Sequence, residues 1–552
     1  MSQTPKHNGS TLVAAGIFLS RIAGIVRTVA MAAVLGSSAA ADAFAWAMRI
    51  PNVLQNLLGE GSLSASFIPV YARMVEEGDE RKASALAGSI VSLLLLVTGA
   101  IVLIGVLAAR PIVWLLSDWQ DDPTRYELAI DLFRITTVGI GFLVLSAWCL
   151  GVLNSHRSFF LSYVAPVIWN AAQIVTLVVV GLLAWSETDI AVAVAWAVVA
   201  GGLLQVLVQL RRVRRFTPSL KLSLDRDDQV NDVLRRFVPA VGARGVVQIA
   251  SFLDVFLLTM LAGNAQSLSY YALPLYVTPI SLFGFSVAAA ELAEMSRRSD
   301  QLQVLADRIR PALRKTIVPA GFISAAYLAA GPTWADAMFG WISRLLDRGL
   351  TDQASILTIG FLLMALALGL PAAITARVTQ NTLYSLGDVK GPARIAVVRL
   401  VVGVISSLVL MLQFDWLTFA GTTIVEFGDF PHWPPWERVP LERRSAEGIP
   451  PHLGVVGIGL GSSIAAWTEW VLLRARLRQR LGSSGSTAVS SGWARHVAVA
   501  AAGGWGAMVM AAMISIPSPL DAVLVALVGL AIYGSLLWIQ GVRPPGRLTS
   551  FS

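Results

Sequence analysis

The sequence predicts an all-helical protein that crosses a membrane many times. Hydrophobic residues make up 55% of its 552 residues and charged residues only 14%, a balance that soluble domains do not have. Apolar stretches of about 20 residues, the length that a helix needs to cross a bilayer, recur along the whole chain. Basic residues concentrate in alternate loops between these stretches. Together these observations leave no room for a soluble catalytic domain.

The apolar stretches predict about fourteen transmembrane helices. With a cytoplasmic N-terminus, loops that follow even-numbered helices are cytoplasmic, and about 28 of the 42 lysines and arginines fall in those loops and the two tails. One missed helix would invert this pattern downstream, so the bias supports the count and places both termini in the cytoplasm. The predicted helices span roughly residues 11–35, 43–72, 84–108, 129–153, 159–184, 190–210, 233–262, 268–296, 311–330, 353–384, 391–412, 453–477, 493–515 and 519–541.

The longest inner linker, about residues 211–232, separates two sets of six helices, as expected of two six-helix bundles. The predicted parts are an N-terminal bundle, a C-terminal bundle with an outer loop, and two further helices. The outer loop is rich in proline, tryptophan and acidic residues, and it is predicted to form an ordered cap. The boundaries are 1–215 and 216–482 for the bundles, 413–452 for the loop and 483–552 for the last two helices.

Several classes of function are excluded by what the sequence lacks. Its single cysteine, Cys149, permits no intramolecular disulfide. Its five histidines fall in tails and loops without metal-ligand spacing, and no nucleophile motif or phosphate-binding glycine loop stands out. Its basic residues sit beside membrane crossings rather than on one soluble face, which excludes a nucleic-acid partner. We therefore expect no enzyme activity, no metal site and no bound cofactor.

Ionisable residues within the first two predicted helices are candidates for function. A charge inside a spanning helix costs several kcal/mol unless it faces a cavity or a partner. In helix 2, offsets of 7 and 11 residues return to nearly the same angle, so the sequence predicts one polar stripe beside a helix weakened at Pro51. The residues concerned are Arg21, Gly24 and Arg27 in helix 1, and Asp42, Arg49, Asn52, Asn56 and Glu60 in helix 2.

The second predicted bundle has polar faces of the same kind. Arg244 and Gln248 share one face of helix 7, with Asp254 farther round, and Arg377, Asn381, Tyr384 and Asp388 are predicted to share one face of helix 10. Two polar bundles would enclose a hydrophilic cavity. Because arginine offers forked donors to phosphate oxygens, such a cavity favours a large anion, and a lipid-linked pyrophosphate fits.

Three segments carry a resemblance to a known family: SRIAGIVR at 20–27, ADAFAWAMRIPNVLQNLLGEGSLSASFIP at 41–69 and QNTLYSLGDVKGPARIA at 380–396. They resemble the MurJ family of lipid II flippases, within the multidrug/oligosaccharidyl-lipid/polysaccharide exporter superfamily. The resemblance implies a bacterial inner-membrane protein that flips lipid II, an undecaprenyl-pyrophosphate-linked peptidoglycan precursor, by alternating access. The last two helices would form a groove for the lipid tail, and the cell-wall synthesis machinery would be a partner.

The resemblance also implies roles for individual residues. Arg21 and Arg27 would bind the pyrophosphate, and Ser20, Asp42, Asn52 and Glu60 also match family positions. Family arginines are replaced here by Gln55 and by the Leu273–Pro274 pair, and we hypothesise that Arg49 and Arg244 compensate. A cation site of the family would read Gly403 and Ser407 in helix 11, so coupling to sodium is doubtful and membrane potential or protons remain open.

Three alternatives stay open at this point. The protein would flip another polyprenyl-linked glycan if the replaced arginines reflect a different head group. It would be a non-transporting scaffold for cell-wall synthesis if its polar residues served only contacts between helices. A drug or cation antiporter is less well supported, because its site should centre on carboxylates and aromatic rings rather than arginines.

Overall fold

The computed structural model describes residues 8–285, 302–427, 436–444, 449–489, 493–514 and 519–540. This part of the chain is helical almost throughout, as the sequence predicts. In lipid, a helix satisfies its own backbone hydrogen bonds, which explains the scarcity of other structure. The chain forms two compact units, Met1–Met260 and Leu261–Ser552. The predicted bundle boundary at 215 and 216 rests on helix order alone and stays a prediction.

The first unit is built around one long, mostly buried helix, α6, which packs against α2, α3, α4 and α8. Its core includes the aromatic residues Phe67, Tyr71 and Trp148. The helices of this unit are α1 (Asn8–Leu35), α2 (Ala39–Leu58), α3 (Glu60–Glu76), α4 (Glu80–Leu107), α5 (Ala109–Leu116), α6 (Pro123–Ser155), α7 (Phe159–Leu182), α8 (Glu187–Phe216) and α9 (Asp228–Thr259).

The helix predicted over 43–72 is broken in the structure at Gly59. The sequence analysis placed the weak point at Pro51, but α2 continues through that residue to Leu58 and α3 begins at Glu60. A Cβ added at Gly59 would come within 2.4 Å of the Gln55 carbonyl oxygen, so only glycine fits the backbone here. The break follows from this local backbone geometry, which hydrophobic periodicity does not report.

The second unit is organised around α13, which packs against α10, α11 and α16. A short π-helical segment, Ile280–Phe285, continues α10, and another, Asp336–Gly340, joins α11 to α12. The helices are α10 (Ala265–Pro279), α11 (Leu302–Ala335), α12 (Trp341–Leu346), α13 (Gln353–Ser385), α14 (Lys390–Phe414), α15 (Leu441–Arg444), α16 (Gly454–Val489), α17 (Trp493–Ile514) and α18 (Pro519–Ile539).

Close contact between α14 and α16 depends on glycine. A Cβ at Gly461 would lie 2.5 Å from the backbone nitrogen of Ser407, and a Cβ at Gly457 would lie 2.6 Å from the Leu410 carbonyl carbon. Both distances are far below van der Waals contact, so no larger residue fits without separating the helices. Small residues at helix crossings allow this approach in membrane proteins.

The outer loop between α14 and α16 contains a β-hairpin, formed by β1 (Leu417–Ala420) and β2 (Thr423–Glu426). The Thr418 hydroxyl donates to the Pro451 carbonyl at 2.9 Å, and the Trp416 indole donates to the Glu437 carbonyl at 2.9 Å. Hydrogen bonds within the loop therefore hold its described part together. The proline- and tryptophan-rich stretch at 428–435 lies outside the described residues.

Each of the fourteen predicted helices coincides with helical structure, although 286–296 of the eighth lies outside the described residues. Within the part of the chain that the structure describes, nine helices are long and apolar enough to cross a membrane. The protein is thus an all-α polytopic membrane protein. The number of crossings, fourteen, stays a prediction.

Candidate functional site

Arg27 lies at membrane depth, and two of its guanidinium nitrogens have no acceptor in the described part of the chain. It lies on α1 within the apolar span Phe18–Leu35, and its guanidinium stands over the ring of Trp169 on α7, 4.9 Å from the centroid. Its Nε and Nη1 atoms are buried without a hydrogen-bond partner among the described residues, and so is the Trp169 Nε1. Buried donors left unsatisfied are costly, which makes Arg27 and Trp169 candidates for contact with an acceptor from a substrate.

The surface of α1 beside Arg27 is open. Arg21 is exposed and Ser20 is half-buried, six and seven residues before Arg27, which is nearly two turns. A Cβ added at Gly24 would meet no heavy atom within 4 Å. At 100° per residue, Gly24 lies between Arg21 and Arg27, about 60° around α1 from each, so open helix surface separates the two guanidinium groups. An anion that reaches Arg27 therefore has room to contact Arg21.

Asp42 is engaged with a basic residue that the sequence analysis did not single out. The Asp42 side chain is almost fully buried, and its Oδ2 lies 3.9 Å from Nη1 of Arg125 on α6. Arg125 also contacts the Asp122 carboxylate at 3.6 Å and stands over the Trp119 ring at 5.6 Å. Asp42 thus contributes to a charged contact between α2 and α6.

The polar residues of α2 do not form the single stripe that was expected. Because the helix ends at Leu58, Glu60 belongs to α3, and its side chain lies outside the described part of the structure. Asn56 is exposed, whereas Arg49, Asn52 and Gln55 are half-buried. The expectation of one continuous stripe from Asp42 to Glu60 is corrected by the break at Gly59.

The candidates on α9 are described only in part. Gln248 is half-buried and Asp254 is exposed. The side chain of Arg244 lies outside the described residues, so its compensation for a missing family arginine together with Arg49 stays a prediction. α9 itself is continuous from Asp228 to Thr259.

On α13, a short hydrogen-bonded chain extends from Arg377. Its Nη1 donates to the Gln380 Oε1 at 3.1 Å, and the Gln380 Nε2 donates to the Tyr384 hydroxyl at 2.8 Å. Asn381, one turn after Arg377, is half-buried beside them. These residues share a face of α13, as the spacing predicts.

Asp388 does not belong to that face, contrary to expectation. α13 ends at Ser385, and the Asp388 carboxylate instead accepts hydrogen bonds from Arg476 Nε at 2.7 Å and Arg480 Nε at 3.2 Å, both on α16. Its Oδ1 also accepts the Gly391 backbone N–H at 3.0 Å. The hydrogen bond from Arg476 contributes most to lowering the pKa of Asp388 from 3.8 to about 2. The Asp388 carboxylate thus connects the turn after α13 to α16.

The sequence analysis missed an ion pair between two spanning helices. Arg399 on α14 donates to the Glu469 carboxylate on α16 at 2.8 Å, and the Glu469 side chain is only 4% exposed. Arg377 lies within electrostatic reach of both, as does Tyr276 on α10. The rule that a charge inside a span is a functional candidate would have found both residues. Trp169 carried no such signal, because an isolated tryptophan in an apolar helix is ordinary.

The arrangement therefore places candidates in each unit. In the first unit, donors from α1 and α7 meet at Arg27 and Trp169. In the second, α10, α13, α14 and α16 gather two arginines around one buried carboxylate. Among the described residues no group of histidine, cysteine and acidic side chains could hold a metal ion. Unpaired N–H donors in the first unit favour a ligand rich in hydrogen-bond acceptors, such as an anion.

Comparisons with known proteins identify the family of this chain. Residues 31–427 match the family model described as lipid II flippase MurJ. The chain is 30% identical over 416 residues to a probable lipid II flippase MurJ of Bdellovibrio bacteriovorus, covering 73% of this chain and 76% of that one. It is 29% identical over 409 residues to the lipid II flippase MurJ of Burkholderia cenocepacia, covering 71% and 76%.

Solved structures show the same fold. A lipid II flippase MurJ in an inward closed conformation superposes with a TM-score of 0.73 at 18% identity, covering 97% of this chain and 100% of that one. An inward-facing multidrug resistance MATE transporter of the MOP superfamily superposes with a TM-score of 0.62 at 17% identity, covering 87% and 100%. The family match over most of the chain and this shared fold lead to one conclusion: the chain belongs to the MurJ family of lipid II flippases.

Proposed function

We propose that this protein flips lipid II from the inner to the outer leaflet of the bacterial cytoplasmic membrane by alternating access. The observation that carries the proposal is the match to the MurJ family over residues 31–427. The geometry supports it through Arg27 and Trp169, whose buried N–H groups have no acceptor in the described structure. A lipid pyrophosphate would supply those acceptors.

The assignment of roles follows from charge and position. A pyrophosphate has several anionic oxygens, and a guanidinium binds two of them with forked hydrogen bonds. Arg27 and Trp169 would hold it, and Arg21 would add a second cation along the open side of α1. Arg49 and Arg377 would provide further contacts to the substrate. Asp42 would act in gating through its contact with Arg125.

The rest of the proposal concerns setting and energy. Both termini are placed in the cytoplasm, on the basis of the positive-inside rule. Transport would depend on membrane potential or a coupling cation and would need no bound cofactor. The protein would act as a transporter rather than an enzyme, alongside the cell-wall synthesis machinery.

The test is translocation of lipid II by the purified full chain in vesicles. Charge-assisted hydrogen bonds contribute about 1.5 to 3 kcal/mol each, so Arg27→Ala should slow translocation at least about tenfold. Arg27→Lys keeps the positive charge but loses the forked pair of N–H donors, so its translocation rate should lie between those of the wild type and Arg27→Ala. Trp169→Phe keeps the ring and removes the N–H, so it should cause a smaller loss. Arg226→Ala, in the exposed linker before α9, is the matched control and should leave the rate unchanged.

Two other outcomes would contradict the proposal. If the wild-type chain moved a different polyprenyl-pyrophosphate glycan but not lipid II, the substrate assignment would be wrong. If Arg21→Ala and Arg27→Ala both supported growth of a cell depleted of its own flippase, the scaffold alternative would replace transport. The family match favours neither alternative.

A further inference from the structure

The β-hairpin of the outer loop has one covered edge and one open edge. β1 pairs with β2 on one side. On the other side of β1, the Leu417 carbonyl accepts the Leu453 N–H at 2.9 Å, and Thr418 pairs with His452. β1 is therefore the central strand. Within the described part of the chain, no backbone group pairs with the far side of β2.

The register of the hairpin shows which backbone groups of β2 point away from β1. In an antiparallel pair, residues that exchange hydrogen bonds with the partner strand alternate with residues whose N–H and C=O groups point outward. The Phe427 N–H donates to the Trp416 carbonyl at 2.9 Å, so the next residue bonded to β1 is Val425. Ile424 and Glu426 therefore present their N–H and C=O groups on the open edge, about 7 Å apart.

The hairpin is held in a fixed position by the second unit. The Phe419 side chain of β1 is almost fully buried, and its ring packs edge-on against Phe361 of α13 with the centroids 5.3 Å apart. At the base of the hairpin, Trp416 packs with Ala262 and Val439 in a small apolar cluster. An edge that is already ordered loses little conformational freedom when a further strand is added, and this favours binding.

Two carboxylates lie beside the open edge. Glu426 is the last residue of β2, and Glu437 is held near the same end of the hairpin because its carbonyl accepts the Trp416 indole N–H at 2.9 Å. Both glutamates are exposed. Ile424 and Trp436 add apolar surface, since they are 48% and 59% exposed. The open edge thus combines backbone hydrogen-bonding groups, apolar area and negative charge.

The basic residues of the same loop lie partly inside it. Arg438 and Arg444 are half-buried and act electrostatically on the buried Asp415. Arg443 is half-buried as well. With guanidinium groups drawn toward the interior and carboxylates on the surface, the edge attracts a basic segment and repels an acidic one.

We propose that the open edge of β2 binds an extended, basic segment of a protein on the outer side of the membrane, which adds a strand to the hairpin. Hydrogen bonds to the backbone of Ile424 and Glu426 would form the ladder, and lysine or arginine side chains would contact Glu426 and Glu437. Charge favours this partner over two others. The glutamates would repel anionic lipid, and a second copy of the chain would bring two acidic surfaces together. This interaction is separate from lipid flipping and does not depend on which lipid is moved.

The test is binding of fluorescent peptides to the purified full chain in nanodiscs of phosphatidylcholine, followed by fluorescence anisotropy. One peptide alternates lysine with valine. The other alternates lysine with proline, which keeps the charge but removes half of the backbone N–H groups. Since several hydrogen bonds are lost, the wild-type chain should bind the lysine–valine peptide at least about tenfold more tightly than the lysine–proline peptide.

Two variants of Ile424 isolate the backbone contact. Ile424→Pro removes the outward N–H, and the hairpin tolerates it because that N–H points away from β1. Ile424→Ala removes the side chain and keeps the N–H. Ile424→Pro should bind the lysine–valine peptide about threefold more weakly than Ile424→Ala, the loss of about one hydrogen bond. Hydrogen exchange at Val425, whose N–H faces β1, checks that the hairpin stays intact.

A second set of variants tests the charge. Glu426→Gln combined with Glu437→Gln should weaken binding of the lysine–valine peptide about fivefold, since each exposed ion pair contributes modestly. Glu187→Gln is the matched control. It removes an exposed acid at the start of α8, which the sequence also places on the outer side, and it should leave binding unchanged.

The inference is overturned if the wild-type chain binds both peptides equally, or if empty nanodiscs bind the lysine–valine peptide as tightly as loaded ones. It is also overturned if Ile424→Pro with an intact hairpin binds like Ile424→Ala, or if Glu187→Gln weakens binding as much as the double glutamate variant. Light scattering that finds a wild-type dimer and an Ile424→Pro monomer would assign the edge to a second copy instead. If Ile424→Pro loses the protection of Val425, the comparison of the two peptides on the wild-type chain decides alone.

Discussion

Replacing Asp388 with asparagine should loosen the turn between α13 and α14 from α16. The substitution keeps the size of the side chain and the oxygen that accepts the Gly391 N–H at 3.0 Å. It removes the negative charge that Arg476 and Arg480 contact at 2.7 and 3.2 Å. The variant therefore isolates the ionic part of this contact.

The expected loss is about 1 to 2 kcal/mol of unfolding free energy. Lowering the pKa of Asp388 from 3.8 to about 2 corresponds to about 2 kcal/mol. Because the arginine side chains are 39% and 46% exposed, solvent screening reduces that figure. Since the folded pKa lies below the unfolded one, the contribution is present above pH 3.8 and disappears as the pH falls through about 2.

The assay is thermal unfolding of the purified chain in detergent, across a range of pH. Asp388→Asn should melt a few degrees below wild type at neutral pH, since 1 kcal/mol shifts melting by about 2 to 4 °C in large domains. The gap should close near pH 2. Asp352→Asn is the control: this aspartate caps α13 by accepting the Ser355 N–H at 2.8 Å, and asparagine caps equally well. An unshifted Asp388→Asn variant, or a gap that persists at pH 2, would refute the reasoning.

Three further perturbations test other parts of the structure. Glu469→Gln leaves Arg399 without its carboxylate inside the membrane and should destabilise the second unit by about 1 to 3 kcal/mol, less than for a fully buried pair because the arginine is 35% exposed. Gly461→Leu should prevent close contact of α14 with α16 and lower the yield of folded protein. Burial raises the pKa of Asp415 to about 7, so its contribution to the stability of the outer loop should be full below pH 3.8 and lost as the pH rises through 7. Burial also lowers the pKa of His452, which contacts the Asp415 backbone, to about 4. The contribution of His452 to that stability should therefore be lost as the pH falls from 6.5 through 4.

Each of these has a measurement and a contrary result. Thermal unfolding checks Glu469→Gln, and a melting curve identical to wild type would show that the ion pair adds nothing. Size-exclusion chromatography checks Gly461→Leu against Gly506→Leu, where an added Cβ meets no atom within 4 Å; equal yields would refute the packing argument. Hydrogen exchange at the hairpin, measured as protection relative to unstructured peptide, checks the pH dependence. Between pH 4 and 6.5 the contributions of Asp415 and His452 oppose each other, so Asp415→Asn, which leaves only that of His452, should gain protection as the pH rises over this range; a loss of protection would contradict the prediction.

Much of the fold could be predicted, because each membrane helix is specified by residues that are neighbours in the sequence. A run of about 20 apolar residues forms a helix in lipid whatever its neighbours are. The predicted helices at 159–184 and 353–384 accordingly agree with α7 and α13 to within two residues. The break at Gly59 was misplaced because a kink depends on contacts around the backbone, and proline is the more visible signal.

The sequence predicted which residue types belong to the candidate site, but it predicted less well which residues contact one another. Charges within apolar spans identified Arg27 and Arg377, and the same rule applied fully would have identified Arg399 and Glu469. It gave no sign of Trp169, because a stacking partner carries no charge. Periodicity also misplaced Asp388, since a helical face is defined only while the helix continues.

The sequence by itself determined that this is a helical membrane protein of the MurJ family, with arginines at membrane depth. Apolar length, charge bias between loops and short motifs are all read from neighbouring residues. Only the tertiary structure decided which charges are held by the protein and which stay open to a substrate. Asp388 meets Arg476 across 88 residues of sequence, and Arg27 meets Trp169 on another helix. Such pairings depend on how distant helices pack, and no local pattern specifies that.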